Sequence, residues 1–188
     1  MRRSARRVLL AMGSLGISLA LLASVESSHA QEAKRDVLGR PQPRPPQLQV
    51  LERLQGSWDV TTTTRAPKPL TATYVETYEW VLDQRFLRGE TSRKSDGAQD
   101  IFMTTYDPVT KFYRFWIFNS LGTTVEFPRG TWDEKTQSME WKSPAQWDLS
   151  FFARWTFPDK NTRRWTALLK DWKGNVLLDV DGTATRRK

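Results

Sequence analysis

The chain of 188 residues contains no cysteine and one histidine, His29. Without cysteine there can be no disulfide, thiol nucleophile, iron–sulfur site or lipoprotein anchor. His29 falls within an N-terminal segment that carries the marks of removal, so the processed chain would hold no imidazole. That excludes a Ser-His-Asp triad, a histidine-containing zinc site and a haem held by a proximal histidine. Catalysis would then have to rest on carboxylates, lysine, tyrosine or arginine.

Aromatic residues are missing from the first 57 positions, although the chain holds 9 Trp, 4 Tyr and 9 Phe. The capacity to build a hydrophobic core is therefore concentrated at and after Trp58. A region of that length can bury a core without a disulfide or a structural metal. We therefore expect one folded domain, over residues 48–188, with no bound metal or cofactor.

The N-terminus has the pattern of a secretory signal peptide. Four arginines within the first seven residues precede an apolar run from Val8 to Val25, and small residues stand at Ser28 and Ala30. This pattern predicts cleavage after Ala30 and export to the periplasm or the extracellular space. The alternative is an uncleaved membrane anchor, because the apolar run is nearly long enough to span a bilayer. Residues 31–47, which include four prolines between Pro41 and Pro46, predict an extended, disordered tether.

The formal net charge is +8. Removing residues 1–30 takes away four of the 29 basic residues and one of the 21 acidic ones, which leaves +5. A modest positive charge on an exported protein favours contact with an anionic envelope surface, although it also serves solubility alone. The basic residues are scattered along the sequence rather than clustered, so a nucleic-acid partner is not expected.

The spacing of apolar residues changes at Gly56. Leu48, Leu51 and Leu54 recur at helical spacing and predict a short helix. After Trp58, short β-prone segments alternate with Pro, Gly, Asp and Asn turn formers. The predicted strands are Ser57–Arg65, Thr71–Leu82, Arg85–Arg93, Gln99–Tyr106, Phe112–Asn119, Thr123–Asp133, Ser138–Lys142, Leu149–Phe157, Arg164–Trp172 and Val176–Thr185. Loops this short favour antiparallel neighbours. The fold class expected is all-β, a closed up-and-down antiparallel barrel of eight to ten strands; a two-sheet sandwich is the alternative.

The start of the first strand, Gly56-Ser57-Trp58, resembles that of the lipocalins and fatty-acid-binding proteins, the calycins. In those proteins the tryptophan plugs one end of the barrel, and a basic residue near the end of the last strand packs across it. The resemblance implies that Trp58 and Arg186 pack together here, with Gly56 beside them, as a structural closure rather than an active site. Stacking and cation–π attraction would stabilise such a pair.

A likeness over residues 50–187 is to the exported bacterial proteins grouped as domain of unknown function 1579, which are expected to be lipocalin-like. It is carried by the order and spacing of five fragments: Leu54–Trp58, Glu76–Gly89, Tyr106–Lys111, Trp116–Thr123 and Gly130–Asp133. The likeness implies a fold much more than an activity. The nitrobindins, haem-binding barrels of similar size, rely on a histidine near the C-terminus that this chain lacks.

A barrel of this strand number is just wide enough to hold one small ligand. We therefore expect a small apolar or amphipathic molecule in the interior, at the end opposite Trp58. Aromatic side chains would form the walls and an arginine would orient a polar end of the ligand. The candidate ligand-binding residues are Tyr78, Trp80, Phe102, Tyr106, Arg114, Phe115, Trp116, Arg154 and Trp155.

Alternatives remain open for the arginines and for the function. Arg114 and Arg154 could lie on the outer wall, or inside the barrel paired with a glutamate. One alternative function is a barrel with a packed core that contacts an envelope partner or stacks sugars on its tryptophans, such as Trp141, Trp147 and Trp172. Another is a carboxylate-based hydrolase or isomerase that uses Glu76 or Glu90 as acid or base, with Tyr78 or Tyr106 as a donor.

Overall fold

The computed structural model describes residues 43–188, which form one 3-10 helix and eleven strands. The helix spans Pro46–Leu54. The strands are β1 (Gly56–Ala66), β2 (Leu70–Val81), β3 (Phe86–Thr91), β4 (Asp100–Asp107), β5 (Phe112–Asn119), β6 (Thr124–Glu126), β7 (Gly130–Asp133), β8 (Ser138–Lys142), β9 (Ser150–Asp159), β10 (Thr162–Lys170) and β11 (Val176–Arg186). Among these residues no helix has the length and apolar character needed to cross a bilayer.

Ten of the strands close into an antiparallel barrel. The order around the wall is β4-β3-β2-β1-β11-β10-β9-β8-β7-β5, and β5 pairs back onto β4. The eleventh strand, β6, pairs only with β5. Closure leaves no long exposed strand edge in the wall. The prediction of a closed antiparallel barrel with eight to ten strands is confirmed, and the sandwich alternative is not.

The short helix is of the 3-10 type because its apolar residues repeat every third position. Leu48, Leu51 and Leu54 are all buried. A helix with three residues per turn places such residues on one face. That face packs against the barrel interior, and the hydroxyl of Tyr113 on β5 donates a 3.0 Å hydrogen bond to the carbonyl of Gln47. The helix therefore covers one end of the barrel.

One predicted strand, Thr123–Asp133, is interrupted. The chain leaves the sheet at residues 127–129 and divides the segment into β6 and β7. Pro128 has no amide hydrogen to donate to a neighbouring strand, which disfavours continuous pairing at that position. Consequently β7 pairs with β5 only at Tyr113 and Gly130.

The two ends of the barrel differ in how they are covered. At one end, called here the closed end, β1 begins and β11 finishes beside the 3-10 helix. The other end, called the open end, carries the connections 67–69, 92–99, 120–123, 143–149 and 171–175. Nothing among the described residues forms a helix over this second end.

Candidate functional site

Trp58 fills the closed end of the barrel. It is fully buried, and its indole Nε1 donates a 2.7 Å hydrogen bond to the carbonyl of Leu54. The guanidinium of Arg186 lies 4.2 Å from the centre of the indole ring, and the two residues are partners across β1 and β11. Arg186 also donates hydrogen bonds of 2.9 Å to the carbonyls of Arg53 and Lys160. The closed end is therefore stabilised by stacking of Arg186 on Trp58 and by hydrogen bonds from both side chains to backbone carbonyls.

Gly56 lets the chain pass close beneath Arg186. Its φ of +99° lies in the region that residues with a side chain rarely adopt, and a Cβ there would lie 3.0 Å from Arg186 Nη1. Backbone conformation is thus the main reason for glycine at this position, and a Cβ would also make the end of the Arg186 side chain shift slightly.

The barrel interior contains a cavity of about 460 Å³ that reaches from its middle to the open end. Small side chains at Ala153 and Ala167 leave room on two adjacent strands. The aromatic side chains that line the cavity are Tyr74, Tyr78, Phe102, Phe115, Phe127, Trp147, Phe151, Trp155 and Trp165. The surface offered to a ligand is therefore predominantly apolar.

A buried ion pair forms the inner floor of this cavity. The side chains of Arg163 on β10 and Glu76 on β2 are 2% and 4% exposed, and Arg163 Nη2 donates to Glu76 Oε2. Tyr78 donates a 3.0 Å hydrogen bond to the same oxygen, and its hydroxyl accepts one of 3.2 Å from Arg163 Nη1. The carboxylate is thus held by two donors, and the three side chains form one hydrogen-bonded cluster.

Aromatic rings surround the guanidinium of Arg163. Its Cζ lies 4.8 Å from the ring centre of Trp165, 5.5 Å from that of Trp155 and 5.6 Å from that of Trp58. Arg163 therefore lies between the Trp58 plug and the cavity. Its Nε is buried and has no hydrogen-bond acceptor within residues 43–188.

The environment fixes the protonation of two members of this cluster. Burial, reinforced by the charge of Glu76, raises the pKa of Tyr78 well above its ordinary value. Burial alone would lower the pKa of Arg163, but the charge of Glu76 and the hydrogen bonds to Tyr78 and Glu76 outweigh it and raise the pKa. At neutral pH the floor therefore holds a cationic arginine beside a neutral tyrosine.

A second ion pair lies nearer the open end. Lys94 Nζ is 2.5 Å from Asp100 Oδ2, and both residues line the cavity. Asp100 also accepts a hydrogen bond from the amide of Asn119, and the ammonium of Lys94 lies 5.0 Å from the ring centre of Tyr74. Like the pair at the floor, this pair combines one positive and one negative charge in direct contact.

The predicted ligand-binding aromatics separate into two groups. Tyr78, Phe102, Phe115 and Trp155 line the cavity. Trp80, Tyr106 and Trp116 do not. The guanidinium of Arg44 lies 4.6 Å from the ring centre of Trp80, Tyr106 packs on Tyr113 with 5.1 Å between ring centres, and Trp116 lies beneath Arg114 at 5.5 Å.

Arg114 and Arg154 lie on the outer wall, which corrects the expectation that one of them orients a ligand. Arg114 pairs with Glu126, and Arg154 pairs with Glu140 on the adjacent strand. Alternation along the strands explains their position, because Phe115 and Trp155 already take the inward-facing positions. The interior guanidinium belongs to Arg163 instead.

Glu90 and Trp141 also occupy positions that change their expected roles. Glu90 accepts a 2.6 Å hydrogen bond from Arg88 on the outer face of β3, the opposite face of the sheet from Glu76. Trp141 is fully buried, so it cannot stack on a sugar.

The described residues contain no group of three or more His, Asp or Glu side chains placed to hold a metal ion.

The sequence contained a signal for Arg163. Trp165, Ala167 and Leu169 share the inward face of β10, and Arg163 lies two residues before Trp165 with the same parity. The predicted strand began at Arg164, one residue too late to include it. Extending the alternation past the turn would have placed one arginine inside the barrel.

Comparison with known proteins identifies the family. A family model described as protein of unknown function (DUF1579) matches residues 43–176. The chain belongs to this family. No curated protein is similar enough in sequence to match it.

Solved structures similar to this chain were also found. The crystal structure of Rv2717c from M. tuberculosis aligns with a TM-score of 0.57 at 14% identity, over 77% of this chain and 99% of that one. The S-type phycobiliprotein lyase CPES from Guillardia theta aligns with a TM-score of 0.48 at 14% identity, over 79% and 99%. The redesigned β-barrel mFAP1, bound to DFHBI, aligns at 0.42 and 15% identity, over 73% and 98%. At these identities the likeness concerns the fold alone.

Proposed function

We propose that this DUF1579 barrel binds one small apolar or amphipathic molecule in its interior. The observation that carries the proposal is the cavity of about 460 Å³, which has aromatic walls and a few converging polar groups. Ligand pockets in proteins have volumes of roughly 300–1,000 Å³ and the same balance of apolar walls with few polar groups. A barrel interior packed solid with side chains would leave no such space.

A catalytic role has weaker support. Glu76 Oε2 already accepts hydrogen bonds from Tyr78 and Arg163, so the carboxylate is engaged as a structural partner. The proton of Tyr78 is already donated to Glu76, and the raised pKa of Tyr78 makes its loss harder still. Glu90, the other candidate acid or base, is on the outer wall. Within residues 43–188 the geometry therefore offers a place to bind but no paired acid and base.

Filling the cavity tests the binding proposal directly. Ala167 lines the cavity, whereas its neighbour Leu168 belongs to the opposite face of β10. We expect Ala167→Phe to weaken binding of an apolar fluorescent probe by about tenfold or more, and Leu168→Phe to leave it unchanged. Native mass spectrometry of protein purified from its own host should show a bound small molecule in the wild type and none in Ala167→Phe. Equal probe binding by wild type and Ala167→Phe would contradict internal binding.

A second candidate function, docking on an anionic envelope surface, is favoured by the exposed side chains of the open end. Twelve large apolar side chains are exposed within residues 43–188. Ten of them lie at the open end, either in its loops or within two residues of a strand end that adjoins those loops. Trp147 and Trp172 are among them, and tryptophan is well suited to the boundary between water and lipid. A ligand could then pass between that surface and the cavity without crossing water.

Vesicle binding tests this second candidate. We expect the protein to bind vesicles that contain phosphatidylglycerol more tightly than vesicles of phosphatidylcholine alone. The double variant Trp147→Ser/Trp172→Ser should lose this binding. Leu82→Ser/Val109→Ser, which removes the two exposed apolar side chains of the closed end, serves as the matched control. Equal loss in both variants, or no binding by wild type, would reject docking through the open end.

We also propose that the protein works outside the cytoplasm, in the periplasm or the extracellular space. The support is the signal-peptide pattern of the sequence, which lies outside the described residues. N-terminal sequencing of the protein from its host should give a chain that begins at Gln31. A chain that retains residues 1–30 at the membrane would favour the anchor instead.

A further inference from the structure

We propose that the bound molecule enters with an uncharged hydrogen-bond acceptor first, such as the oxygen of an ester, a ketone or an alcohol, and that the barrel discriminates against a carboxylate head group. This inference rests on the proposed function and names the ligand class. It follows from the charges that line the cavity and from the unused N–H groups of Arg163 at its floor.

The charges facing the cavity are already balanced. Arg163 is neutralised by Glu76, and Lys94 is neutralised by Asp100. The remaining charged residue of the lining, Glu126, pairs with Arg114 on the outer wall. Every cation of the lining that the structure describes therefore has its anion. A ligand carboxylate would add a negative charge with no free cation to receive it, and burying an uncompensated charge is strongly unfavourable.

The floor nevertheless has N–H groups left to donate. A guanidinium has five N–H groups, and buried donors in folded proteins are almost always paired. Arg163 lines the cavity, and two of its N–H groups donate to Tyr78 and Glu76, which leaves three, the Nε–H among them, that donate to no described residue. The Tyr78 hydroxyl has no hydrogen left to give, since it donates to Glu76, and it also accepts from Arg163. A neutral oxygen atom that reaches Arg163 at the floor would accept from one of the remaining N–H groups without adding charge.

A set of ligands with equal chain length tests the inference on the wild-type protein. The probes are methyl decanoate, decan-1-ol and decanoate at pH 8, where the acid is ionised. Their affinities are measured by displacement of a neutral fluorescent probe. We expect each neutral ligand to bind at least about tenfold more tightly than decanoate. Equal or tighter binding of decanoate would overturn the inference.

Removing the charge of Glu76 should reverse the preference. Glu76→Gln keeps the shape of the side chain and leaves the charge of Arg163 uncompensated. We expect decanoate to gain about tenfold in affinity, while methyl decanoate changes by less than about threefold. Glu90→Gln makes the same change in net charge on the outer wall and should alter neither affinity. An unchanged preference in Glu76→Gln would overturn the inference; should that variant not fold, the wild-type comparison decides alone.

The two proposals fail in different ways. If no decyl ligand binds the wild type, or if Ala167→Phe binds as well as the wild type, binding within the cavity is wrong. If decanoate binds tightly and Ala167→Phe abolishes that binding, the cavity is the site and only the choice of head group is wrong.

Discussion

The two ends of the barrel use similar residues for opposite purposes. At the closed end Trp58 is fully buried, and the donors of Arg186 are bonded to backbone carbonyls. At the open end Trp172 is 74% exposed, and no helix among the described residues covers the loops around it. A tryptophan beside a basic residue stabilises the fold at one end and leaves an apolar surface at the other.

The contrast implies an unequal distribution of stability. The closed end combines a plug, a helix with three buried leucines and a satisfied guanidinium. In the open half of the barrel, the cavity takes up space that side chains would otherwise fill. Regions with fewer buried apolar contacts open at lower free-energy cost. The barrel is thus built to stay shut at one end while remaining accessible at the other.

Emptying the plug should produce the largest change in stability. We expect Trp58→Ala to lower the free energy of unfolding by about 3–5 kcal/mol, because it leaves a large void beneath Arg186. Trp172→Ala at the opposite end should change it by less than about 0.5 kcal/mol. Urea denaturation of both variants measures the difference. Similar losses in the two variants would show that the ends do not differ in the way described.

Breaking the buried ion pair tests the boundary between plug and cavity. Arg163→Leu should cost about 3–5 kcal/mol, because Glu76 would remain buried without its cation. The double variant Arg163→Leu/Glu76→Leu should cost less than the single one, since no charge is left unpaired. Denaturation of the single and double variants forms the measurement. A double variant less stable than Arg163→Leu would mean that the pair itself is strongly stabilising.

Substitution of Gly182, which packs against Trp165, tests how rigidly the Trp165 side chain is held in the cavity wall. A Cβ on Gly182 of β11 would collide with the indole of Trp165, its partner on β10. We expect Gly182→Ala to lower the free energy of unfolding by about 1–3 kcal/mol through overpacking. Thr183→Ala, at the next and outward-facing position, is the control and should stay within about 0.5 kcal/mol. A harmless Gly182→Ala would mean that Trp165 moves freely in the cavity.

Raising the pH above 10 should lower the free energy of unfolding gradually, through the tyrosines that line the cavity. Burial, followed by the charge of Glu76, raises the pKa of both Tyr78 and Tyr74 above the ordinary 10.0. Above pH 10 the unfolded chain loses these protons while the folded protein keeps them, so stability falls as the pH rises; below pH 10 there is no such loss. The slope is up to about 1.4 kcal/mol per pH unit for each tyrosine.

Comparison with Tyr78→Phe isolates this effect. The variant lacks one of the tyrosines whose pKa is raised, so its free energy of unfolding should fall less steeply between pH 10 and pH 11 than that of the wild type. Urea midpoints at pH 9, 10 and 11 give the two slopes. Parallel slopes would mean that Tyr78 titrates alike in the folded and unfolded states.

The sequence predicted the fold better than the site, for reasons that particular residues make clear. Turn formers and alternation determine where strands begin and end, so most strands lay close to their observed bounds. The exception was the break at Pro128, which the predicted strand Thr123–Asp133 passed over although proline has no amide hydrogen to donate. The aromatic residues Tyr78, Phe102, Phe115 and Trp155 were also predicted to line the interior, and they do.

The charged part of the site was harder to predict because it depends on contacts between distant strands. Glu76 and Arg163 meet only after β2 and β10 have been placed on the barrel. Arg114 and Arg154 drew attention because aromatic residues flank them, yet in a strand the residues next to an inward-facing side chain point outward. Helical spacing predicted the N-terminal helix. The exact three-residue spacing of Leu48, Leu51 and Leu54 would also have indicated the 3-10 type, but this was not inferred from the sequence.

Pairing of the first strand with the last affects how the molecule can assemble. Trp58 and Arg186 are neighbours in the wall although they stand near opposite ends of the folded segment. Contacts between residues so far apart in sequence slow folding, because a long loop must close before they form. Until β11 docks, β1 and β10 both present unpaired backbone edges that invite association with other chains. A chain cut short before β11 should therefore aggregate rather than form a smaller barrel, and a growing chain cannot complete the barrel until its last strand is free.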